Sequence, residues 1–265
     1  MKVAIAGAAG RMGRTLVEAV LRSGDLALGA ALEAPGHPQL GRDPGEPFGA
    51  ASGVRTTADV AAAVAAADCL IDFTQPEATV AHVIACAAAG KAVVIGTTGF
   101  TAEQTKRIDE AARRVATAIA PNFAVGVNAV FKLAEVGARI LGDGYDVEIV
   151  EAHHRQKVDA PSGTALRLGE VVAAALGRDL KACAIYGRAG ITGERDARTI
   201  AFHAIRGGDI VGEHTVIFAG EGERVEIAVR SGSRMTYALG ALRAARWLVG
   251  RAAGRYDMGD VLGLK

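Results

Sequence analysis

The first half of the chain consists of short apolar runs separated by segments with helical periodicity. A short apolar run bounded by turn residues is typical of a buried strand, and apolar residues that recur every three or four positions are typical of a helix. By these criteria the predicted strands are residues 2–6, 26–32, 69–73, 92–95 and 115–120. Helices are predicted between them, among them 57–67 and 77–89. Strands that alternate with helices predict an α/β fold with a mostly parallel, doubly wound sheet.

The pattern changes after Phe123. Residues 127–141 are predicted to form a long helix, and residues 146–152 alternate polar and apolar positions as a half-buried strand does. Further strands are predicted at 199–206, 210–219 and 224–230, and further helices at 164–176 and 236–248. The strands are joined by Gly207 and Gly208 and by the turn 220–222, which are hairpin signals. This part is therefore predicted to be an α+β domain with a mixed or antiparallel sheet and helices on one face.

Composition and charge exclude several classes of protein. Half of the residues are hydrophobic, 22% are charged and the formal net charge is +1, which gives no electrostatic reason to expect nucleic acid or a membrane surface as a partner. No apolar run reaches membrane-spanning length. Cys69, Cys86 and Cys183 are scattered without a CxxC pair and indicate buried thiols, with no metal site. A strand at residues 2–6 with no signal peptide before it leads us to expect a cytoplasmic protein.

A glycine-rich turn follows the first predicted strand and precedes a helix. Its residues 7–13 read Gly-Ala-Ala-Gly-Arg-Met-Gly, and this context is the one in which a Rossmann-type dinucleotide fingerprint binds a pyrophosphate. The candidate cofactor residues here are Gly7, Ala8, Ala9, Gly10, Arg11 and Met12. Glu33 ends the second strand, where an acid accepts hydrogen bonds from the adenine ribose. The spacing is GxxGxxG rather than GxGxxG, so a tight turn without a ligand remains the alternative.

Two further segments follow the carboxyl ends of predicted strands, where open α/β sheets bind ligands. The first contains Gly96, Thr97 and Thr98, and the second contains Ala120, Pro121, Asn122 and Phe123. Their small side chains and hydroxyls would let a nicotinamide and its ribose lie against the backbone. On sequence alone, an ordinary loop with a helix cap explains the first segment equally well, and Thr101 with Gln104 is predicted to form a capping box for the next helix.

The densest group of chemically active residues lies between the strand at 146–152 and the helix at 164–176. Residues 151–164 read Glu-Ala-His-His-Arg-Gln-Lys-Val-Asp-Ala-Pro-Ser-Gly-Thr. His153 and His154 change protonation near neutral pH, Lys157 carries an ammonium, and Gly163 and Thr164 open a helix whose free N–H groups favour an anion. A solvated basic loop with an ordinary N-cap is the competing interpretation, and no third ligand stands at a zinc spacing.

This stretch resembles the signature Glu-x-His-His-Arg-x-Lys-x-Asp-x-Pro-Ser-Gly-Thr of the 4-hydroxy-tetrahydrodipicolinate (dihydrodipicolinate) reductase family of lysine and diaminopimelate biosynthesis. The resemblance covers essentially the full length, including residues 192–195, 208–214 and 233–236. It implies a dinucleotide-binding domain at 1–124, completed by 235–265, and a substrate-binding and oligomerisation domain at 125–234 that builds a homotetramer. The implied reaction is the reduction of 4-hydroxy-tetrahydrodipicolinate, a small cyclic dicarboxylate, to tetrahydrodipicolinate with NADH or NADPH.

The resemblance also assigns roles to single residues. Reduction needs a positioned acid, for which we predict His153, with Lys157 as the second proton donor. His154, Gly163 and Thr164 are predicted to bind the substrate carboxylates. Many family members carry an arginine directly after the ribose-binding acid, whereas this chain has Ala34, so cofactor choice is an open point. Two other functions remain: an NAD-binding regulator without catalysis, which would need a partner-binding element, and an amino-acid dehydrogenase on the same architecture.

Overall fold

The computed structural model describes residues 1–265 and divides into two compact units. The first contains Met1–Val125 together with Arg234–Lys265, and the second contains Gly126–Ser233. The assignment of cofactor binding to the first unit and of substrate binding and oligomerisation to the second stays a prediction.

The first unit is built on a seven-stranded parallel sheet. In spatial order its strands are β12 (Gly254–Tyr256), β6 (Ala116–Ile119), β5 (Ala92–Ile95), β4 (Cys69–Asp72), β1 (Lys2–Ala6), β2 (Ala27–Leu32) and β3 (Thr56–Thr57). The order reverses at β1, from which the chain winds first toward β2 and then toward β4. The predicted doubly wound, Rossmann-type sheet is confirmed.

Helices cover both faces of this sheet. They are α1 (Arg11–Leu21), α2 (Val60–Ala65), α3 (Pro76–Ala89), α4 (Ala102–Ala112), α8 (Met235–Leu248) and α9 (Met258–Leu262). Alternate residues of β1 point to opposite faces: Val3 and Ile5 pack with α1, α8 and α9, whereas Ala4 and Ala6 pack with α2, α3 and α4. This burial on both sides explains why the strands read as continuous apolar runs.

The second unit has a five-stranded mixed sheet with helices on one face. Its strands, in spatial order, are β11 (Arg224–Ser231), β10 (Gly212–Ala219), β7 (Asp146–His153), β9 (Ile200–Arg206) and β8 (Ala184–Tyr186). Its helices are α5 (Val125–Leu141), α6 (Gly163–Ala175) and α7 (Leu180–Cys183). Val147 and Ile149 of β7 pack with buried residues of α5 and α6, so the core lies on this face of the sheet.

The hairpin predicted at Gly207 and Gly208 is wrong. Strand β7 lies between β9 and β10, parallel to β9 and antiparallel to β10. The Gly207 N–H donates to the His153 carbonyl at 3.0 Å, and the Arg155 N–H donates to the Gly208 carbonyl at 3.2 Å. The glycines therefore form a turn that crosses the end of β7, because β7 pairs with both β9 and β10 and separates them. The hairpin between β10 and β11 at 220–222 is confirmed.

The helix predicted at 57–67 is wrong at its start. Thr57 belongs to β3 and pairs with Leu32, and Asp59 caps α2 by accepting a hydrogen bond from the Ala62 N–H at 2.9 Å. The capping box predicted at Thr101 and Gln104 is confirmed. No helix is long and apolar enough to cross a membrane.

Candidate active site

The fingerprint turn of the first unit has a backbone that side chains would disrupt. Gly7 has a φ of +64°, a conformation that favours glycine. A Cβ on Gly13 would lie 1.9 Å from the Gly7 carbonyl oxygen, so only glycine permits the helix to start this close to the strand. Gly10 is the N-cap of α1 and makes no side-chain cap. The first-turn N–H groups of Arg11 and Met12 have no intrahelical acceptor and fit a pyrophosphate.

Glu33 is turned back over this fingerprint. One carboxylate oxygen accepts a hydrogen bond from the Ala9 N–H at 2.7 Å, and the other accepts from the Ala34 N–H at 3.3 Å. The Ala8 N–H donates to the Leu32 carbonyl at 3.0 Å, which ties the turn to β2. The carboxylate therefore lies beside the fingerprint turn, as an acceptor for ribose hydroxyls must. These residues fit a dinucleotide.

A buried polar network fixes the loops after β4 and β5. Asp72 is fully buried and accepts hydrogen bonds from the Thr74 hydroxyl at 2.6 Å and from His82 Nδ1 at 2.7 Å. Thr97 joins it by accepting a hydrogen bond from the Thr79 hydroxyl at 2.8 Å. The network orders the backbone at the predicted cofactor residues Gly96, Thr97 and Thr98. Asp72 and His82 are not among the residues predicted from the sequence, although an acid at the end of an apolar strand is a signal of a buried polar group.

The segment after β6 is fixed by packing. Phe123 is 1% exposed, and its ring lies edge-on to Phe73 with centroids 5.6 Å apart. Ala8 and Ala120 are also buried, whereas Pro121 and Thr98 are exposed. The buried members of the predicted cofactor set therefore offer a ligand their main chain rather than their side chains.

In the second unit the chemistry is centred on Glu151. Its side chain is 1% exposed and lies on the same face of β7 as the side chains of Val147 and Ile149. It accepts hydrogen bonds from His153 Nδ1 at 2.6 Å, from the Ser162 N–H at 3.1 Å, and from both terminal nitrogens of Arg206 at 2.7 and 2.8 Å. Burial opposes ionisation of this carboxyl, but the hydrogen bonds from Arg206 and His153 outweigh it and lower its pKa. Glu151 is therefore a carboxylate.

His153 is the last residue of β7, and Glu151 fixes its tautomer. Because a carboxylate accepts the proton on Nδ1, the neutral ring carries no proton on Nε2. Burial lowers the pKa of His153, and the hydrogen bond to Glu151 offsets part of that effect. The ring lies edge-on to His214, with centroids 5.1 Å apart. His153 can donate a proton from Nε2 only as an imidazolium, which the carboxylate stabilises.

The start of α6 is fixed by a buried serine and a buried histidine. Ser162 is the N-cap and accepts a hydrogen bond from the Ala165 N–H at 3.2 Å. Its hydroxyl also lies 2.9 Å from His214 Nε2. Burial lowers the pKa of His214 to about 4, so this ring is neutral near pH 7. The helix N-terminus therefore presents Gly163 and Thr164 on a rigid base, with the positive end of the helix dipole toward an anion.

The loop between His153 and α6 holds the other predicted residues. Lys157 Nζ pairs with both carboxylate oxygens of Asp159 at 2.7 and 2.8 Å, so the ammonium is held within the loop. His154 follows the strand, and its Nδ1 is buried without a hydrogen-bond partner. No three His, Cys, Asp or Glu side chains are grouped as metal ligands.

The sequence predicts no role for Glu151, although Glu151 lies in the motif, and it does not predict Arg206 or His214 as functional residues. The sequence does contain one signal for Glu151. It is a carboxylate at a position of β7 that alternation places on the apolar face, together with Val147 and Ile149. A charge at such a position is buried and needs partners. Nothing local identified Arg206, which lies 55 residues along the chain.

Comparison with known proteins gives a consistent result over the whole chain. The family profile described as "Dihydrodipicolinate reductase, N-terminus" matches residues 1–123, and "Dihydrodipicolinate reductase, C-terminus" matches residues 126–262. The 4-hydroxy-tetrahydrodipicolinate reductase of Aromatoleum aromaticum is 63% identical over 265 residues, which cover 100% of this chain and 96% of that protein. The enzyme of the same name from Dechloromonas aromatica is 60% identical over 264 residues, covering 100% and 98%.

Solved structures agree. The dipicolinate-bound dihydrodipicolinate reductase from Paenisporosarcina sp. TG-14 has a TM-score of 0.79 and 27% identity, and the match covers 98% of each chain. An amine dehydrogenase from Mycobacterium smegmatis, 13% identical with a TM-score of 0.59 over 96% of this chain and 94% of its own, shares the fold alone. Sequence signature, sheet topology, family profiles and full-length relatives all agree, and the chain belongs to the dihydrodipicolinate reductase family.

Proposed function

We propose that this chain catalyses the NAD(P)H-dependent reduction of 4-hydroxy-tetrahydrodipicolinate to tetrahydrodipicolinate in lysine and diaminopimelate biosynthesis. Full-length relatives at 57% to 63% identity carry the name of that enzyme. The single observation that carries the proposal is the arrangement at the end of β7. There His153 is bound to a buried carboxylate, and Ser162, which donates to the same carboxylate, caps a helix N-terminus suited to an anion.

The first unit is assigned the cofactor, either NADH or NADPH. The first-turn N–H groups of α1 would bind its pyrophosphate, and Glu33 would accept hydrogen bonds from its adenine ribose. The residues after β5 and β6 would hold the nicotinamide and its ribose. When bound, the reduced nicotinamide supplies the hydride.

The second unit is assigned the substrate. In the net reaction the 4-hydroxyl and a ring hydrogen leave as water, and one hydride and one proton are added. The proton requires a positioned donor: His153 gives it from Nε2, and Lys157 is the second donor. The substrate carboxylates are assigned to His154, to the N–H groups of Gly163 and Thr164, and to the Thr164 hydroxyl, where the helix dipole favours negative charge.

Family membership also supports a homotetramer in the cytoplasm, with the small dicarboxylate as ligand and no nucleic acid or membrane as partner. Neither a regulator without catalysis nor an amino-acid dehydrogenase is favoured by any observation. The His153–Glu151 pair has no purpose in the first, and the relatives' name does not fit the second.

The test is the oxidation of NADH, followed by its near-ultraviolet absorbance, when the protein meets freshly made 4-hydroxy-tetrahydrodipicolinate. We expect oxidation that depends on both the substrate and the protein. A mixture of 2-oxo acid and ammonia serves as the control for an amino-acid dehydrogenase. The proposal would be overturned if NADH were oxidised with that mixture but not with 4-hydroxy-tetrahydrodipicolinate. It would also be overturned if NADH were oxidised with neither of them.

A further inference from the structure

One buried ion pair connects the segments that carry both proposed proton donors. Glu151 of β7 and Arg206 of β9 form a bidentate pair at 2.7 and 2.8 Å, a geometry that only arginine offers a carboxylate. The two residues lie on neighbouring parallel strands, where His153 is paired with Arg206 in register. The guanidinium therefore reaches from the end of β9 to the carboxylate two residues before His153.

The carboxylate side of the pair holds His153. Glu151 Oε2 accepts the Nδ1 proton at 2.6 Å, while Oε1 accepts the Ser162 N–H at 3.1 Å. One side chain thus fixes the orientation of the imidazole and also the first residue of the α6 cap. A ring held in this way presents Nε2 in one direction only.

The guanidinium side of the pair holds the loop that carries Lys157. One terminal nitrogen of Arg206 donates to the Asp159 carbonyl at 2.6 Å, and the other donates to the Ile205 carbonyl at 2.7 Å. The Asp159 carboxylate in turn holds Lys157 Nζ at 2.7 and 2.8 Å. Arg206 therefore fixes the backbone of the residue whose side chain binds the second donor.

We infer that Glu151 and Arg206 are positioning residues for the proposed reduction: through their ion pair they orient His153 and fix the loop that carries Lys157. The inference rests on the proposed function, because it concerns donors that matter only if the chain transfers a proton to a substrate. It assigns roles to two residues that the proposed function leaves without one.

The charges around His153 make a positioning role distinguishable from a purely structural one, because a positioning role should also change the pH dependence of kcat. The ring faces Glu151 on its own strand, Arg206 on β9, His214 on β10 and Lys157 in the loop. Glu151 is the anion in this group, and it raises the pKa of His153 against the lowering effect of burial and of the two cations. Removing the carboxylate charge therefore makes the imidazolium harder to form, so the acid form is lost at a lower pH.

The experiment measures kcat and KM against pH for four enzymes: wild type, Glu151→Gln, the double variant Glu151→Gln/Arg206→Met, and Glu148→Gln. The double variant removes both charges, so it leaves no unpaired guanidinium and stays folded where the single variant unfolds. Glu148 is the matched control, because it is a carboxylate of the same strand that also binds arginine and histidine, but it does not contact His153.

In Glu151→Gln and in the double variant we expect kcat to fall by about 10²-fold, within the range of a positioned proton donor. The pH at which kcat declines should move to lower values, while NADH affinity, measured by fluorescence titration, stays unchanged. Glu148→Gln should keep the wild-type kcat and the wild-type midpoint.

Three results would overturn the inference: a wild-type kcat in the folded double variant, an unmoved midpoint in both Glu151 variants, or an equal shift in Glu148→Gln. These results are distinct from failure of the proposed function. In that case the wild type itself would not oxidise NADH with the substrate.

Discussion

Two carboxylates three residues apart on β7 have the same kinds of partner on opposite faces of the sheet. Glu148 accepts hydrogen bonds from Arg188, Arg195 and His203 at 2.6 to 3.0 Å. Glu151 accepts them from Arg206 and His153 over a similar range, 2.6 to 2.8 Å. The residue types alone do not distinguish the two clusters.

Their surroundings differ. Glu148 is 19% exposed, on the face away from the helices, and the arginines that bind it come from the segment that follows β8. Glu151 is 1% exposed, on the helix-covered face, and Ser162 joins its partners. The Glu148 cluster fastens a loop to a sheet, whereas the Glu151 cluster lies where a strand ends beside a helix N-terminus. Position at a strand end, rather than composition, makes the second cluster the candidate site.

The largest difference between the two clusters is expected in kcat when the histidine of each cluster is substituted. His153→Gln should lower kcat by roughly 10²- to 10⁴-fold, because a positioned acid is lost, with little change in NADH affinity. His203→Gln, which removes the histidine of the Glu148 cluster, should leave kcat near the wild-type value. Steady-state kinetics on both variants measure the effect, and near-normal turnover by His153→Gln would remove this residue from the mechanism.

Stability should separate the two carboxylates as well. Glu151→Gln leaves the half-buried Arg206 guanidinium without the buried carboxylate that it pairs with, at a cost of about 3 kcal/mol of unfolding free energy. Glu148 lies on a more exposed face, so Glu148→Gln should lower the unfolding free energy by about 1 kcal/mol or less. Urea unfolding of each variant gives the values. Equal losses would mean that burial does not distinguish the clusters.

The anion site predicted beside Glu151 has no counterpart at Glu148. Thr164→Val removes a hydroxyl donor from the first turn of α6, and loss of a charge-assisted hydrogen bond costs about 1.5–3 kcal/mol. We expect KM for the substrate to rise about tenfold or more, while KM for NADH stays constant. An unchanged substrate KM would move the carboxylate site elsewhere.

The pH dependence of stability should distinguish His214, which lies edge-on to His153, from Glu148. Burial lowers the pKa of His214 from 6.5 to about 4, so the unfolded chain binds more protons and stability falls as pH drops from 6.5 to 4. Burial opposes ionisation of Glu148, but hydrogen bonds from Arg188, His203 and Arg195 lower its pKa from 4.5 to about 2. Its stabilising contribution is complete above pH 4.5 and is lost as pH falls toward 2.

Urea unfolding at a series of pH values tests this assignment. His214→Gln should reduce the loss of stability between pH 6.5 and pH 4. Glu148→Gln should reduce the loss below pH 4.5 without abolishing it, because the pKa of Glu151 is lowered as well. If either variant changes the pH dependence in both ranges, His214 and Glu148 are not independent.

A third carboxylate, Glu33, extends the comparison because backbone N–H groups, and no cation, bind it. Its charge should repel the 2′-phosphate of NADPH, and Ala34 cannot offset that repulsion as an arginine would. We expect NADH to be used at least as well as NADPH, and Ala34→Arg to improve kcat/KM for NADPH selectively. A strong wild-type preference for NADPH, or no response to the arginine, would contradict this expectation.

Local patterns in the sequence predicted the elements that local forces determine. The parallel strands of the first unit, the capping box at Thr101 and the hairpin at 220–222 all follow from neighbouring residues. The two-residue strand β3 and the three-residue strands β8 and β12 are too short to leave a periodic signal. The pairing of β7 with β9 depends on residues about fifty positions apart, which no turn signal reports.

The site divides in the same way. The proposed donors and the start of α6 lie in one continuous stretch, so the motif and the family resemblance identified them together. Arg206 and His214 reach Glu151 and Ser162 only after β9 and β10 have paired on either side of β7. Residue spacing along the chain does not predict a contact that forms only through long-range strand pairing.

The central claim is that the substrate binds on the Glu151 side of β7, and a crystal structure with dipicolinate and NADH tests it most directly. Dipicolinate is a planar dicarboxylate that resembles the proposed substrate. The account predicts one carboxylate on the N–H groups of Gly163 and Thr164, with the ring on the His153 side of the sheet. Dipicolinate bound on the Glu148 face, or only in the first unit, would contradict the account.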